Sequence, residues 1–256
     1  CDKYNKQDRN KYIKDIIFEF LIGKNLGNHP NIVKMFDINI ISSYRYELVS
    51  SLYETDLKKF MRGNFTSLDT IWKIIYQITC GLEYLHSANI AHLDLTPNNI
   101  FINNGDMIDV AIGDFGASQI KDEDGDIPTD YRVTRWYRPP DVPFFLYVSG
   151  KSIDIWSLGC VLVEMIINRP LFPGADTYHQ LELIFQLLGS YQDTALVSKI
   201  RAENALNWYQ RNVSHFEAED FYSIISDYRF NNRPTTTFTE DETKLHKLIN
   251  FAKAML

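Results

Sequence analysis

The stretch His92–Asn99, reading HLDLTPNN, limits what this chain can fold into more than any other. It follows a long apolar-periodic segment and precedes two short strand-like runs, after which Asp114-Phe115-Gly116 and Thr134-Arg135-Trp136-Tyr137-Arg138 appear in order. Taken singly, each is short enough to arise as an ordinary turn, an Asp capping one and Asp-Phe-Gly forming another. Together and in this order they describe a helix, a polar loop, a strand pair and a second polar turn. Asp94 stands five residues before Asn99, and a second carboxylate, Asp114, follows before Phe115-Gly116.

The flanking sequence supports that layout. Leu68–His86 carries Ile71, Ile74, Ile75, Ile78, Leu82 and Leu85 at helical spacing, the mark of one apolar face. Ile100–Ile102 and Val110–Ile112 read as a short strand pair. Upstream, Asn10–Asn25 has Ile13, Ile16, Ile17, Phe20 and Leu21 at helical spacing, and Ile32–Phe36 and Tyr46–Val49 read as strands, with Asn28-His29-Pro30 as the break. Gln119–Tyr131 is polar and acidic and reads as an exposed mobile loop. Helices are expected at Ile153–Ile167, Tyr178–Leu188 and Thr243–Met255. The expected architecture is α+β, a small strand-containing lobe leading into a larger helical one, with the site between them.

Composition excludes several classes. At 256 residues and 45% hydrophobic content the chain can bury a large core. A net charge of −7 argues against nucleic acid as the main partner. The apolar run Gly159–Ile167 is too short to span a membrane and is interrupted by Glu164. Cys1, Cys80 and Cys160 lack metal-ligand spacing and read as reduced thiols of an intracellular protein, cytoplasmic or nuclear. No signal peptide is seen, and a start at Cys1 suggests a fragment or a processed chain.

With these motifs in hand, the chain resembles the eukaryotic-type protein kinases, and within them the MAP kinase and cyclin-dependent kinase group, from about Asp15 onward. Leu52–Leu57 resembles the hinge of MAP kinases, and Lys58-Lys59-Phe60-Met61 is similar to cyclin-dependent kinases. Asp154–Cys160, Pro170–Gly174 and the insert-like Arg201–Asn204 extend the resemblance. It implies a bilobal kinase fold, with residues 1–51 a partial small lobe and 52–256 the large lobe. It also implies a Ser/Thr kinase that is proline-directed and uses ATP and Mg2+. Protein substrates would carry Ser/Thr-Pro sites, a regulatory protein could dock on the Glu19 helix, and the chain would act as a monomer without membrane or nucleic acid.

Residue by residue, the resemblance makes Asp94 the acceptor of the substrate hydroxyl proton, and Asn99 and Asp114 the magnesium ligands. Glu19 would pair with the ATP lysine. Ser51 and Tyr53 would offer backbone groups to adenine, Asp56 would line the same nucleotide site, and Ser50 would be a small gatekeeper opening space for bulky adenine analogues, which Ser50→Phe would close. His92 and Phe115 would join the stack linking the lobes, and Asp154 would bond the backbone of the catalytic loop. Thr134 would bond Asp94, and Arg138 would shape a pocket for proline.

The departures carry weight of their own. No Gly-rich loop precedes Glu19, and the ATP lysine is expected upstream of Cys1, Lys3 being a poor match. Thr96 stands where the family has the lysine that touches the transferred phosphate, and Leu93 where it has an arginine. Phe18, Leu93 and Gln119 occupy the places of three arginines that gather an activation-loop phosphothreonine. A phosphate on Thr129 would therefore meet no arginine cluster, whereas one on Tyr131 would meet Arg135 and Arg138. Gly23 stands where a bulky member of the lobe-linking stack is usual, which predicts a loosely held helix. Asp141 replaces a glutamate whose arginine partner would lie beyond Leu256. Three readings compete on this pattern: an active kinase, favoured by Asp94, Asn99 and Asp114; a pseudokinase scaffold, favoured by Thr96, Leu93 and the lost phosphate pocket; and a non-functional fragment or degenerate copy.

Overall fold

The computed structural model describes residues 6–42, 45–62, 66–120, 126–128, 134–145, 147–191, 197, 200, 203–231 and 238–256. The chain opens with helix α1 (Lys6–Leu26), followed by an antiparallel hairpin of β1 (Met35–Ser42) and β2 (Arg45–Ser50). After the short strand β3 (Thr55–Asp56) come α2 (Leu57–Phe60) and the long α3 (Leu68–Ser87). The strands β5 (Ile100–Asn104) and β6 (Ile108–Ile112) join β3 in a three-stranded sheet, numbered so because β4 (Ile90–Ala91) precedes them. Helices dominate from Gly150 onward: α5 (Gly150–Ile167), α6 (Thr177–Leu188), α7 (Glu203–Asn212), α8 (Phe221–Asn231) and α9 (Phe238–Lys253), with α4 (Asp141–Phe144) a single turn before them.

The core follows from the apolar stripes. Ile71, Ile74, Ile75, Ile78, Leu82 and Leu85 of α3 are all buried against α5, β6 and α9. Ser67 caps α3 by accepting from the Thr70 amide, and Asp69 sits in the first turn, where the helix dipole favours a negative charge. Helix α5 is buried nearly all round, which marks it as the central pillar of the helical part. It ends at Asn168, whose left-handed φ of 58° lets its amide reach the Glu164 carbonyl. Among the described residues no helix is long and apolar enough to cross a membrane, and Cys80 and Cys160 are free thiols.

Three expectations need correction. The first strand does not span Ile32–Phe36. Ile32 and Val33 instead bridge to β6, Val33 N–H donating to the Ile112 carbonyl at 2.8 Å, and the regular strand begins at Met35. The polar stretch Gln119–Tyr131 is not all loop. Its described parts include β7 (Gln119–Ile120), paired with β4, and β8 (Asp126–Pro128), paired with β9 (Tyr147–Ser149).

The third correction concerns Gly23. A side-chain carbon built there would lie 2.3 Å from Cγ of Met35, so the room of the missing stack residue is already filled. Gly27 does the same one turn later, where a Cβ would fall 2.6 Å from the Lys34 backbone. The two glycines let the helix lie directly on the chain entering β1, and the helix is packed rather than loose. Alanine has the better helix propensity by about 1 kcal/mol, yet Gly23→Ala is expected to lower the melting temperature because Met35 must be displaced. An unchanged or raised melting temperature would contradict this packing.

Candidate active site

The loop after α3 is held from below by one carboxylate. Asp154, fully buried in α5, accepts from the His92 amide at 2.8 Å and the Leu93 amide at 2.7 Å. Its Oδ2 also lies 2.8 Å from His86 Nε2. These bonds hold Leu93 at a φ of 67°, a left-handed conformation that costs a residue with a Cβ about 1–2 kcal/mol. The strained turn swings Asp94 out of the core and into the site.

His92 locks the other side of the loop. Its Nδ1 accepts from the Asp94 amide at 3.3 Å, so Nε2 carries the proton that it donates to the Gly113 carbonyl at 3.0 Å. The ring meets Phe115 edge-on at 5.7 Å. Through that single imidazole the loop after α3 and the Asp114-Phe115-Gly116 turn share one position. Ser118 adds a bond from its hydroxyl to the His92 carbonyl at 3.2 Å.

Asp94 and Asn99 lie together. The Asn99 side-chain Nδ2 donates to the Asp94 carbonyl at 2.8 Å and to its Oδ2 at 3.2 Å. The other oxygen, Oδ1, accepts from the Thr134 amide at 3.1 Å and from the Thr134 hydroxyl. Gly113 N–H donates to the Asn99 carbonyl at 3.0 Å, which sets Asp114 beside this pair. Asp114 takes a left-handed φ of 61°, is exposed, and accepts weakly from the Gly116 amide at 3.4 Å. Thr96 is buried and starts the turn Pro97–Asn99, its carbonyl accepting from the Asn99 amide at 3.0 Å.

Glu19 approaches from α1. A Cβ at Gly116 would lie 3.5 Å from its Oε2, so the carboxylate hangs over the Asp-Phe-Gly turn. Among the described residues it has no cationic partner. Burial, and secondarily the charge of Asp114, push its pKa up to about 7. The folded state thus holds this proton more tightly than the unfolded chain does. Its stabilising effect is full below the usual carboxylate range and is lost as pH rises toward 7. Glu19→Gln is therefore expected to gain stability relative to the parent between pH 5 and 7 in thermal melts. Parallel curves for the two proteins would refute this environment for Glu19.

The residues expected to face a nucleotide lie along Ser50–Asp56. Ser50 ends β2 with an exposed side chain that donates to the Ser51 carbonyl at 3.3 Å. The Ser51 amide is taken by the Lys34 carbonyl at 2.9 Å, which leaves its carbonyl as the group it can offer. Tyr53 tilts against Phe101 at 5.9 Å, on the strand that follows Asn99. Asp56 caps α2, accepting from the Lys59 amide at 2.8 Å and pairing with Lys59 Nζ at 2.8 Å. Thr129 and Tyr131 lie outside the described residues, as do Lys3 and the first half of Arg201–Asn204.

Arg135 and Trp136 fasten the following segment, the first donating to the Ala175 carbonyl and the second to the Gly174 carbonyl at 3.1 Å. Arg138 is half-buried, and burial together with Arg135 lowers its pKa. The sequence reading missed the group beneath them. Glu164 is buried in α5, pairs with Lys58 Nζ at 2.6 Å and accepts from the Tyr137 hydroxyl at 2.7 Å. The signal was present as a lone carboxylate inside the most apolar helix of the chain, since a buried charge needs a partner.

Comparison with known proteins agrees with this geometry. The protein kinase domain matches residues 2–245. The mitogen-activated protein kinase homolog MMK2 of Medicago sativa is 39% identical over 202 residues, covering 76% of this chain and 52% of that protein. Mitogen-activated protein kinase 6 of Oryza sativa subsp. japonica and mitogen-activated protein kinase 4 of Arabidopsis thaliana are each 38% identical over the same shares. The chain spans about half the length of these curated relatives. On the match over nearly its whole length, and with the Asp94, Asn99 and Asp114 arrangement, the chain belongs to the protein kinase family.

Proposed function

We propose that the protein transfers the γ-phosphate of ATP to serine or threonine hydroxyls of protein substrates, with proline preferred after the acceptor. The observation that carries this reading is the double grip on Asp94. Asn99 holds one carboxylate oxygen and Thr134 the other, so the group is aimed where a hydroxyl would approach. Asn99 and Asp114 supply oxygen atoms of the kind a hard divalent cation takes, and are the residues that would hold Mg2+ on the nucleotide phosphates. When bound, that ion would neutralise charge on the transferring group. Asp94 would orient the attacking hydroxyl and receive its proton. Glu19 would meet the lysine that holds the phosphates, and Ser51 and Tyr53 would face the adenine, with Ser50 behind it and Asp56 at the edge of the same site.

Proline preference follows from Arg138 and the fastened segment Thr134–Tyr137. It is tested with paired peptides that differ only in Pro or Ala after the acceptor serine. The proposal expects the proline peptide to be phosphorylated with a kcat/KM at least about tenfold higher. Equal rates would remove the proline-directed part and leave the kinase part standing.

A second reading, a pseudokinase that binds partners through the same fold, draws on Thr96. Its buried side chain cannot supply the positive charge that the family's lysine gives the transition state. Loss of one such contact slows comparable reactions by about 10²–10³. The two readings part on transfer, not on nucleotide binding.

A further inference from the structure

The segment Thr134–Phe144 is fastened at both ends, by different chemistry. Its start is tied to the catalytic loop and α5. Thr134 bonds Asp94, Tyr137 bonds Glu164, and Ser157 Oγ donates to the Tyr137 carbonyl at 2.8 Å. Its end is tied elsewhere. Asp141, the first residue of α4, is half-buried and accepts from the hydroxyl of Tyr191 at 3.0 Å.

Tyr191 is well placed to hold that bond. It lies just past α6, after Gly189, where φ is +81° and a Cβ would fall 2.8 Å from the Ala218 amide nitrogen. The chain can turn there only with glycine. The Tyr191 ring meets Phe185 edge-on at 5.2 Å and Phe144 edge-on at 6.3 Å, and stacks on Tyr209 at 5.8 Å. Its own amide donates to the Tyr209 hydroxyl at 2.9 Å. Ring and backbone are thus both fixed before the hydroxyl reaches Asp141. Burial, with the neighbouring carboxylate, pushes the pKa of this phenol far above its usual range, so it remains a donor.

Phe144, three residues after Asp141, lies in the same aromatic cluster, buried among Phe185, Trp208 and Tyr209. At Asp141 and Phe144 the end of the segment is therefore held by residues of α6, α7 and their connection, while Val142 between them lies in a separate apolar cluster with Leu93 and Ile153.

We propose that Tyr191 is a positioning residue for the protein substrate, fixing through Asp141 and Phe144 the far end of the segment against which the residue after the acceptor hydroxyl rests. This rests on the kinase reading of the site, and its test has an arm that does not need catalysis.

In the full-length protein, Tyr191→Phe keeps the ring and removes only the donor. The KM for a Ser-Pro peptide is expected to rise about tenfold, the scale of a buried acceptor left unsatisfied. The kcat and the KM for ATP should stay within about twofold, because Asp94, Asn99 and Asp114 are untouched. Asp141→Asn, whose side-chain oxygen can still accept from Tyr191, is expected to keep KM within about threefold of the parent. In parallel, amide exchange at Val142–Phe145 should quicken in Tyr191→Phe while that of α3 stays unchanged. A fall in kcat with unchanged KM, or unchanged exchange at Val142–Phe145, would overturn the proposal. If the parent protein transfers no phosphate, the kinase reading falls, and the exchange measurement alone decides whether Tyr191 holds the segment.

Discussion

Asp154→Ala is expected to cost about 3 kcal/mol of stability, the range seen when one partner of a buried charged network is removed. It should also abolish phosphate transfer. The carboxylate is fully buried and serves the His92 and Leu93 amides and His86 together. Alanine would leave two buried N–H groups without acceptors beside the left-handed Leu93. Leu93 would then relax out of its left-handed conformation, and Asp94, the next residue, would lose its aim. Asp154→Asn is the sharper variant, because it keeps the shape and one acceptor but turns an amide NH2 toward a backbone N–H. Urea melts followed by circular dichroism read the stability, and an Asp154→Ala protein within about 0.5 kcal/mol of the parent would contradict the anchoring role.

The second large effect concerns regulation. Restoring the family's arginine, Leu93→Arg, is expected to destabilise the protein by several kcal/mol instead of building a phosphate site. Leu93 is fully buried in a small apolar cluster with Ala91, Val142, Val148 and Ile153. That cluster joins the loop after α3 to β9 and α4. Asp154, whose carboxylate accepts from the Leu93 amide, is already shared with the His92 amide and His86, so the guanidinium would be buried without a partner of its own, and burial of such a charge is far more costly than loss of apolar contact. Leu93→Ala should itself cost about 2–5 kcal/mol, as buried leucines do. A Leu93→Arg protein as stable as the parent would show that the pocket can still take the charge.

Local periodicity made much of this fold readable in advance. The apolar stripe of Leu68–His86 and the alternation around Ile100–Ile102 and Val110–Ile112 fall on elements with nearly those bounds. The contact of Asn99 with Asp94 was within reach of the sequence because the two lie only five residues apart. Long-range pairs were not. Nothing local ties Tyr191 to Asp141, fifty positions apart, or Lys58 to Glu164 across more than a hundred. Gly23 misled for the same reason, since whether a missing side chain leaves a gap depends on what packs there, and Met35 is twelve residues away. Helix α8 was within reach: Phe221, Ile224, Ile225 and Tyr228 keep helical spacing, and its Arg229 is buried between the Ile166 and Thr66 carbonyls.

The most direct test of the central claim is phosphate transfer from labelled Mg-ATP to a generic Ser/Thr-Pro protein substrate by the full-length protein, beside its Asp94→Asn variant. The geometry predicts incorporation in the parent and none above background in the variant, with Thr96 then a tolerated replacement for lysine. No transfer by a folded parent, or equal transfer by the variant, would contradict the assignment of Asp94 and leave the fold as a binding module.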